Sequence, residues 1–204
     1  MPHDQQRTRI QRKNRQAILE AALDVFSQYG FRGATLDQIA QSAGLSKPNL
    51  LYYFPTKEAI HSALLSGLLG HWTAPLRSMN PDGDPVEEIL TYVRRKLEMS
   101  REYPRESRLF ANEVLQGAPH IGEMIQTEMK TLVDEKAAVI ADWADQGRIP
   151  PLHPYHLIFS IWAMTQHYAD FDTQVRATLG GADQDPFPEA ETYLTTLFTR
   201  LLNP

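Results

Sequence analysis

The sequence predicts an all-α protein of nine helices, a small N-terminal three-helix domain followed by a larger helical domain. Three observations carry this. Apolar residues recur at three- and four-residue spacing along most of the chain. Strand-like alternation is nowhere long enough to compete, and Gly, Pro and capping residues punctuate the pattern at helical lengths.

From Arg12 to Tyr29, Ile18, Ala22, Val25 and Tyr29 form an apolar stripe with Leu19 and Phe26 beside it, and Gly30 supplies a stop. Thr35-Leu36-Asp37-Gln38 has the form of a capping box and opens a short helix through Ile39, Ala40 and Ala43, ended by Gly44. Only Leu45 then precedes Ser46, an N-cap for a third helix with Pro48 in its first turn and Pro55 as its stop. Two short helices on a tight glycine turn, backed by a supporting helix, are a helix-turn-helix. Leu50 and Leu51 are expected in its core. Tyr52, Tyr53 and Phe54 are consecutive and cannot all face one core, so at least one tyrosine meets solvent or a partner.

The remainder reads as six further helices. The fourth runs from Thr56 to about Met79, and Asn80-Pro81-Asp82-Gly83-Asp84-Pro85 is a loop. The fifth carries Val86, Ile89, Leu90, Val93 and Leu97 and closes before Pro104; the sixth holds Leu109 to Leu115. A long seventh spans Ile121 to Trp143, an eighth runs from Pro154 to about Leu179, and a ninth from Pro186 or Pro188 to Leu202. The last two carry Leu157, Ile161, Tyr168, Leu194, Leu197, Phe198 and Leu201, more apolar surface than a helix pair hides, which predicts a two-fold four-helix interface and a homodimer. The domain boundary is expected after residue 57, giving domains 1–57 and 58–204.

Composition removes several classes of function. Cysteine is absent, which excludes disulfides, thiolate catalysis and Cys-ligated zinc. Apolar runs fall far short of the ~20 residues of a spanning helix, so no membrane association and a cytoplasmic location are expected. No P-loop, H-E-x-x-H or G-x-S-x-G is present, so no catalytic residue is assigned and no enzyme is expected. Glu58 and His61 give a single Glu-x-x-His with no second copy; no metal site and no cofactor are expected. The net charge of −5 is uneven: residues 1–57 carry eight Lys/Arg against four Asp/Glu. Arg7, Arg9, Arg12, Lys13 and Arg15 make a basic arm, which suits phosphate contacts on double-stranded DNA, Arg7 and Arg9 above all.

Thr35-Leu36-Asp37-Gln38-Ile39-Ala40, Ala43-Gly44-Leu45-Ser46 and Leu51-Tyr52-Tyr53-Phe54-Pro55-Thr56-Lys57-Glu58 together resemble the TetR family of transcriptional regulators. The resemblance implies a nine-helix fold whose larger domain binds a small effector and dimerises. It implies that Lys47, Asn49, Tyr52, Tyr53 and Lys57 face operator DNA, with Thr35 and Ser46 adding phosphate contacts. Lys47 and Asn49 also stand where a recognition helix begins, and Lys and Asn suit guanine and adenine edges respectively.

In the larger domain, Tyr103-Pro104, Ser107-Arg108-Leu109-Phe110, Ile161-Trp162-Ala163 and Thr165-Gln166-His167-Tyr168-Ala169-Asp170-Phe171 resemble the pyrimidine-responsive members of that family. This implies uracil or thymine as effector and a repressor released from a pseudo-palindromic operator. Trp162 and Gln166 share one helical face, and Phe110 and Glu113 another. With Trp72 they offer an aromatic wall, an amide and a carboxylate suited to a planar ring bearing two carbonyls and two N–H groups; Lys96 or Asn112 would serve a second carbonyl. Read singly, each of Trp72, Phe110 and Trp162 suits a core better than a binding site. The alternative is a multidrug-type sensor with a greasy pocket.

Overall fold

A computed structural model describes residues 2–181 and 183–203, with side chains from Arg9 onward. No strand occurs among the described residues. The chain divides into two compact units, Met1–Leu68 with Leu109–Gly122, and Leu69–Arg108 with Glu123–Pro204. Compact packing thus divides the chain inside the fourth helix, after Leu68, and a second stretch of chain, Leu109–Gly122, joins the first unit. A continuous helix has no linker to mark such a boundary, so composition could not locate it.

In the first unit, α1 (Pro2–Gly33) is longer than its apolar stripe, because it extends back through the basic arm. It buries Ile18, Ala22, Val25 and Phe26. Gly30 still breaks the helix, at φ 68° and ψ 168°, before a last turn that ends at Gly33. Tyr29, beside that break, is exposed instead of lying on the buried stripe. The helices α2 (Leu36–Ser42) and α3 (Lys47–Tyr53) follow the capping residues that announced them. The Thr35 side chain accepts from the Gln38 backbone N–H at 3.2 Å, and the Thr35 N–H donates to Gln38 Oε1 at 2.9 Å. Gly44 turns at φ 67° and Ser46 caps α3. Leu50 is fully buried, but Leu51 is 37% exposed. Neighbours on a helix point about 100° apart, so a seven-residue helix buries only one of them.

Helix α4 (Lys57–Arg77) contributes Ile60, Leu64 and Leu65 to the core of the first unit. Helix α6 (Pro104–Leu115), of which this unit takes the part from Leu109, is followed by a return through Gly117 (φ 89°) and Ala118 (φ 54°).

In the second unit, α5 (Pro85–Glu102) packs on α9 (Pro154–Asp170) and on α11 (Phe187–Leu202). Asp84 caps α5 by accepting from the Glu87 N–H. The seventh helix expected from periodicity is interrupted: α7 (Gly122–Met124) passes through a π-helical stretch (Ile125–Met129) into α8 (Lys130–Asp145). The eighth divides at Phe171 into α9 and α10 (Asp172–Thr178), so ten helical runs stand among the described residues where nine were expected, α7 to α8 being taken as one. Asp172 opens α10 where a carboxylate suits a helix N-terminus, and it accepts from Arg176 Nε at 2.7 Å. Trp143 donates from its indole to the Pro81 carbonyl and Lys136 from its ammonium to the Met79 carbonyl, tying α8 to the loop before α5.

Leu157, Ile161, Leu194 and Phe198, expected at an intermolecular face, are buried in this unit's own core. Periodicity finds the face that packs without saying what it packs against, and here α5 covers it. The large apolar side chains left exposed on α9 and α11 are Phe159, Met164, Tyr193 and Leu201.

Candidate functional site

In the first unit the start of α3 is open to solvent. Ser46, Lys47, Asn49 and Tyr52 are exposed, as is Thr35 at the start of α2, and Tyr53 is half-buried. At the head of α3, Pro48 carries no N–H and that of Asn49 donates to Ser46 Oγ at 3.4 Å, so the Lys47 and Asn49 side chains are the solvent-facing donors there. Lys47 Nζ lies 2.9 Å from Asp37 Oδ2 of α2, with both side chains exposed. Such an exposed pair is weak, so the ammonium is held only loosely.

The two tyrosines are held from behind by α1. Gln11 Nε2 donates to the Tyr52 hydroxyl at 3.3 Å and Asn14 Nδ2 to the Tyr53 hydroxyl at 3.0 Å. The rings meet edge-on with centroids 5.1 Å apart. Arg15 lies over the buried Phe54 ring at 5.2 Å. Arg9, Arg12 and Lys13 are exposed on the same α1; the Arg7 side chain lies outside the described residues.

Lys57, expected to face DNA, is engaged by its own chain. Its ammonium donates to the carbonyls of Phe31 and Ala34 at 2.7 and 2.8 Å and sits 4.6 Å from the Phe31 ring centroid. The break at Gly30 leaves carbonyls at the end of α1 without helical partners, and Lys57 supplies one.

In the second unit the expected effector residues fall on two packed helices and the end of α4. Trp72 is buried, with Lys96 Nζ 5.5 Å from its ring centroid. Lys96 is itself buried, and burial brings its pKa down to about 7 against the opposing pull of Asp170. Trp162 Nε1 donates to the Tyr92 hydroxyl at 2.6 Å, and burial holds that phenol well above its ordinary pKa. Gln166, one turn beyond Trp162, is half-buried and makes no side-chain hydrogen bond among the described residues. Asp170 accepts from Ser107 Oγ at 2.6 Å, and burial raises its carboxyl above the usual range.

Phe110, Asn112 and Glu113 belong to the first unit. Asn112 is exposed and Phe110 buried. Glu113, expected to accept a ligand N–H, is engaged by its own chain: the His120 backbone N–H donates to Oε1 at 2.7 Å, and His120 Nδ1 lies 3.1 Å from Oε2. The return through Gly117 and Ala118 brings this about, and the helical pattern gave no sign of it.

That return also assembles a cluster with no counterpart in the sequence reading, which expected no metal site. Donor atoms of His61, Glu113 and His120 lie within 4.8 Å of one another. The His61 and His120 ring centroids are 4.7 Å apart, and Phe26 and Phe31 pack against His61 at 4.9 and 4.6 Å. Burial first, and then His120, hold the His61 pKa down to about 4 while Glu113 pulls the other way.

A solvent-facing helix-turn-helix on a basic supporting helix, carried by an all-helical chain, defines a DNA-binding transcriptional regulator. No helix among the described residues is long and apolar enough to cross a membrane. The model for bacterial regulatory proteins of the tetR family matches residues 18–64, and that for the YcdC-like protein C-terminal region matches residues 65–204. The chain belongs to the TetR family, and it is a regulator, not an enzyme. It is 51% identical over 179 residues to the HTH-type transcriptional regulator RutR of Escherichia coli strain K12, covering 88% of this chain and 84% of that protein. Among solved structures it resembles a TetR-like transcriptional regulator from Rhodococcus sp. RHA1, with a TM-score of 0.66 and 22% identity, over 92% of this chain and 94% of that one. AibR in complex with isovaleryl coenzyme A and operator DNA matches with a TM-score of 0.67 and 17% identity, over 90% of this chain and 97% of that one.

Proposed function

We propose that this regulator is a homodimeric, cytoplasmic repressor of pyrimidine catabolism, released from a pseudo-palindromic operator by uracil or thymine. The observation that carries the effector is the half-buried Gln166 amide, free of side-chain bonds among the described residues, one helical turn from Trp162 on the helix that packs against α5, which carries Tyr92 and Lys96. A pyrimidine edge alternates carbonyl and N–H groups. Gln166 donates to one and accepts from the other, while Lys96 donates to a second carbonyl. The 51% identity with RutR, which extends through this region, supports the same ligand class.

Lys47 and Asn49 would reach base edges, and Thr35, Ser46, Tyr52, Tyr53, Arg7 and Arg9 would contact phosphates. A second copy would cover Phe159, Met164, Tyr193 and Leu201 and bring the two α3 helices about 34–36 Å apart, one duplex turn. Trp72 and Lys57 stand on the same α4, so an effector held beside Trp72 acts on the helix that leads from the helix-turn-helix. Release follows only if the effector prefers the spacing that does not fit DNA, and a preference of ~1–3 kcal/mol gives a 5- to 150-fold effect.

The test is titration of wild type and Gln166→Ala against a selected operator, with and without uracil. Operator binding that survives in the variant while release by uracil is lost supports the reading. Release as in wild type removes Gln166 from the site. Calorimetry in which hydrophobic cations bind and uracil and thymine do not would favour a multidrug-type sensor.

A further inference from the structure

We propose that the first unit binds one first-row divalent transition-metal ion of the zinc class, through His61, Glu113 and His120. Three features of the cluster point to an ion. His61 is 2% exposed, and its Nδ1 is fully buried without a hydrogen-bond partner among the described residues, a condition that native interiors rarely leave unexplained. Glu113 is 5% exposed, yet among the described residues its carboxylate is met only by the ring and backbone N–H of His120. A buried carboxylate ordinarily has a cation or several donors. Finally, Ala118 holds a positive φ of 54° in the turn that carries His120 onto Glu113. A non-glycine residue in that region costs energy, and here the turn closes the cluster.

The donor set selects the ion. Two imidazoles and one carboxylate are the ligands of open zinc sites and suit Zn²⁺, Co²⁺, Ni²⁺ or Cu²⁺ above Mg²⁺ or Ca²⁺, which take oxygen donors. Ligand atoms on a tetrahedral ion at ~2.0–2.2 Å stand about 3.4 Å apart, so donor atoms within 4.8 Å of one another need to close by at most about 1.4 Å. Phe26 and Phe31 wall His61, and the low dielectric there strengthens the pull between ion and carboxylate. Lys57, also positive, is held by the carbonyls of Phe31 and Ala34. An ion would join α4 to the turn after α6 within this unit, beside the end of α1 that Lys57 caps.

The full-length protein, stripped with a chelator, is titrated with Co²⁺ and followed by its visible absorption, then with Zn²⁺ in competition. Saturation at one Co²⁺ per chain, with the intense bands of a four- or five-coordinate site and displacement by Zn²⁺, is the expected result. His120→Ala, whose side chain is partly exposed, should keep the fold and weaken Co²⁺ binding by more than about 100-fold, beyond what loss of an outer-shell partner costs. Glu113→Gln should do the same, and Mg²⁺ should not compete. Equal uptake by wild type and His120→Ala would assign the ion to other histidines and overturn the proposal. So would the absence of a saturating spectrum in wild type. Uracil takes no part in the assay, so its outcome is independent of the effector.

Discussion

The indole N–H of Trp162 points at the hydroxyl of Tyr92, 2.6 Å away, and so fastens α9 to α5 by a side-chain bond where the two helices pack. Tyr92→Phe keeps the ring and removes only the acceptor. It should lower stability by ~1–3 kcal/mol, the penalty for a polar group left unpaired. Urea denaturation reads this as a lower midpoint at unchanged slope, and a double-mutant cycle with Trp162→Phe isolates the pair. An unchanged midpoint would mean that water replaces the phenol.

Lys96 should make stability depend on pH in the alkaline direction. Its pKa is brought from 10.5 down to about 7 by burial, with Asp170 opposing. Between those values the unfolded chain holds a proton that the folded chain has released, so stability rises with pH across the window. Below about pH 7 both states are protonated and the penalty of the buried ammonium is present in full. Lys96→Met should therefore be more stable than wild type at pH 6, with the difference shrinking toward pH 10. Thermal melts of the two proteins across that range check it, and a constant difference would show that the ammonium is solvated.

How much of this was legible depends on the length scale of each cause. Thr35, Gln38, Gly44 and Ser46 act on backbone within a few residues, so the helix-turn-helix could be read directly, capping box included. The division of the eighth helix at Phe171 had no glycine or proline to mark it. The π-helical stretch at Ile125–Met129 shifts the phase of a helix without interrupting its apolar content, so a 3.6-residue pattern passes over it. Glu113, His120 and His61 meet because of a turn at Ala118, and a non-glycine residue at positive φ carries no sequence signal. Lys57 was legible as a cation but not as a cap, because its acceptors appear only once α1 breaks at Gly30.

That cap has its own consequence. Lys57→Met preserves the stem and deletes two charge-assisted bonds to the carbonyls of Phe31 and Ala34. The loss should be ~1.5–3 kcal/mol in total, since partly exposed carbonyls recover some hydration. Because the ammonium is committed to α1, the salt dependence of operator binding should stay close to that of wild type. A slope flatter by roughly 0.9 would show instead that Lys57 turns to a phosphate when DNA arrives.

The N-terminal part of α1 should contribute through both charge and orientation. Deleting residues 1–11 removes Arg7 and Arg9 and also Gln11, which donates to the Tyr52 hydroxyl at 3.3 Å. Asn14, which holds Tyr53, remains. Each phosphate that the deletion leaves without its arginine should flatten the log–log salt slope by roughly 0.9, so affinity falls most at low salt. Release of Tyr52 should act differently, lowering affinity by a factor nearly independent of salt, because a hydroxyl displaces no counterions. Gln11→Ala in the full chain isolates that second effect. Fluorescence anisotropy on duplex operator between about 50 and 200 mM salt separates the two. An unchanged slope on deletion would make the arm inert toward DNA, whereas a changed slope with Gln11→Ala would show that this residue orders the basic helix as well as the tyrosine.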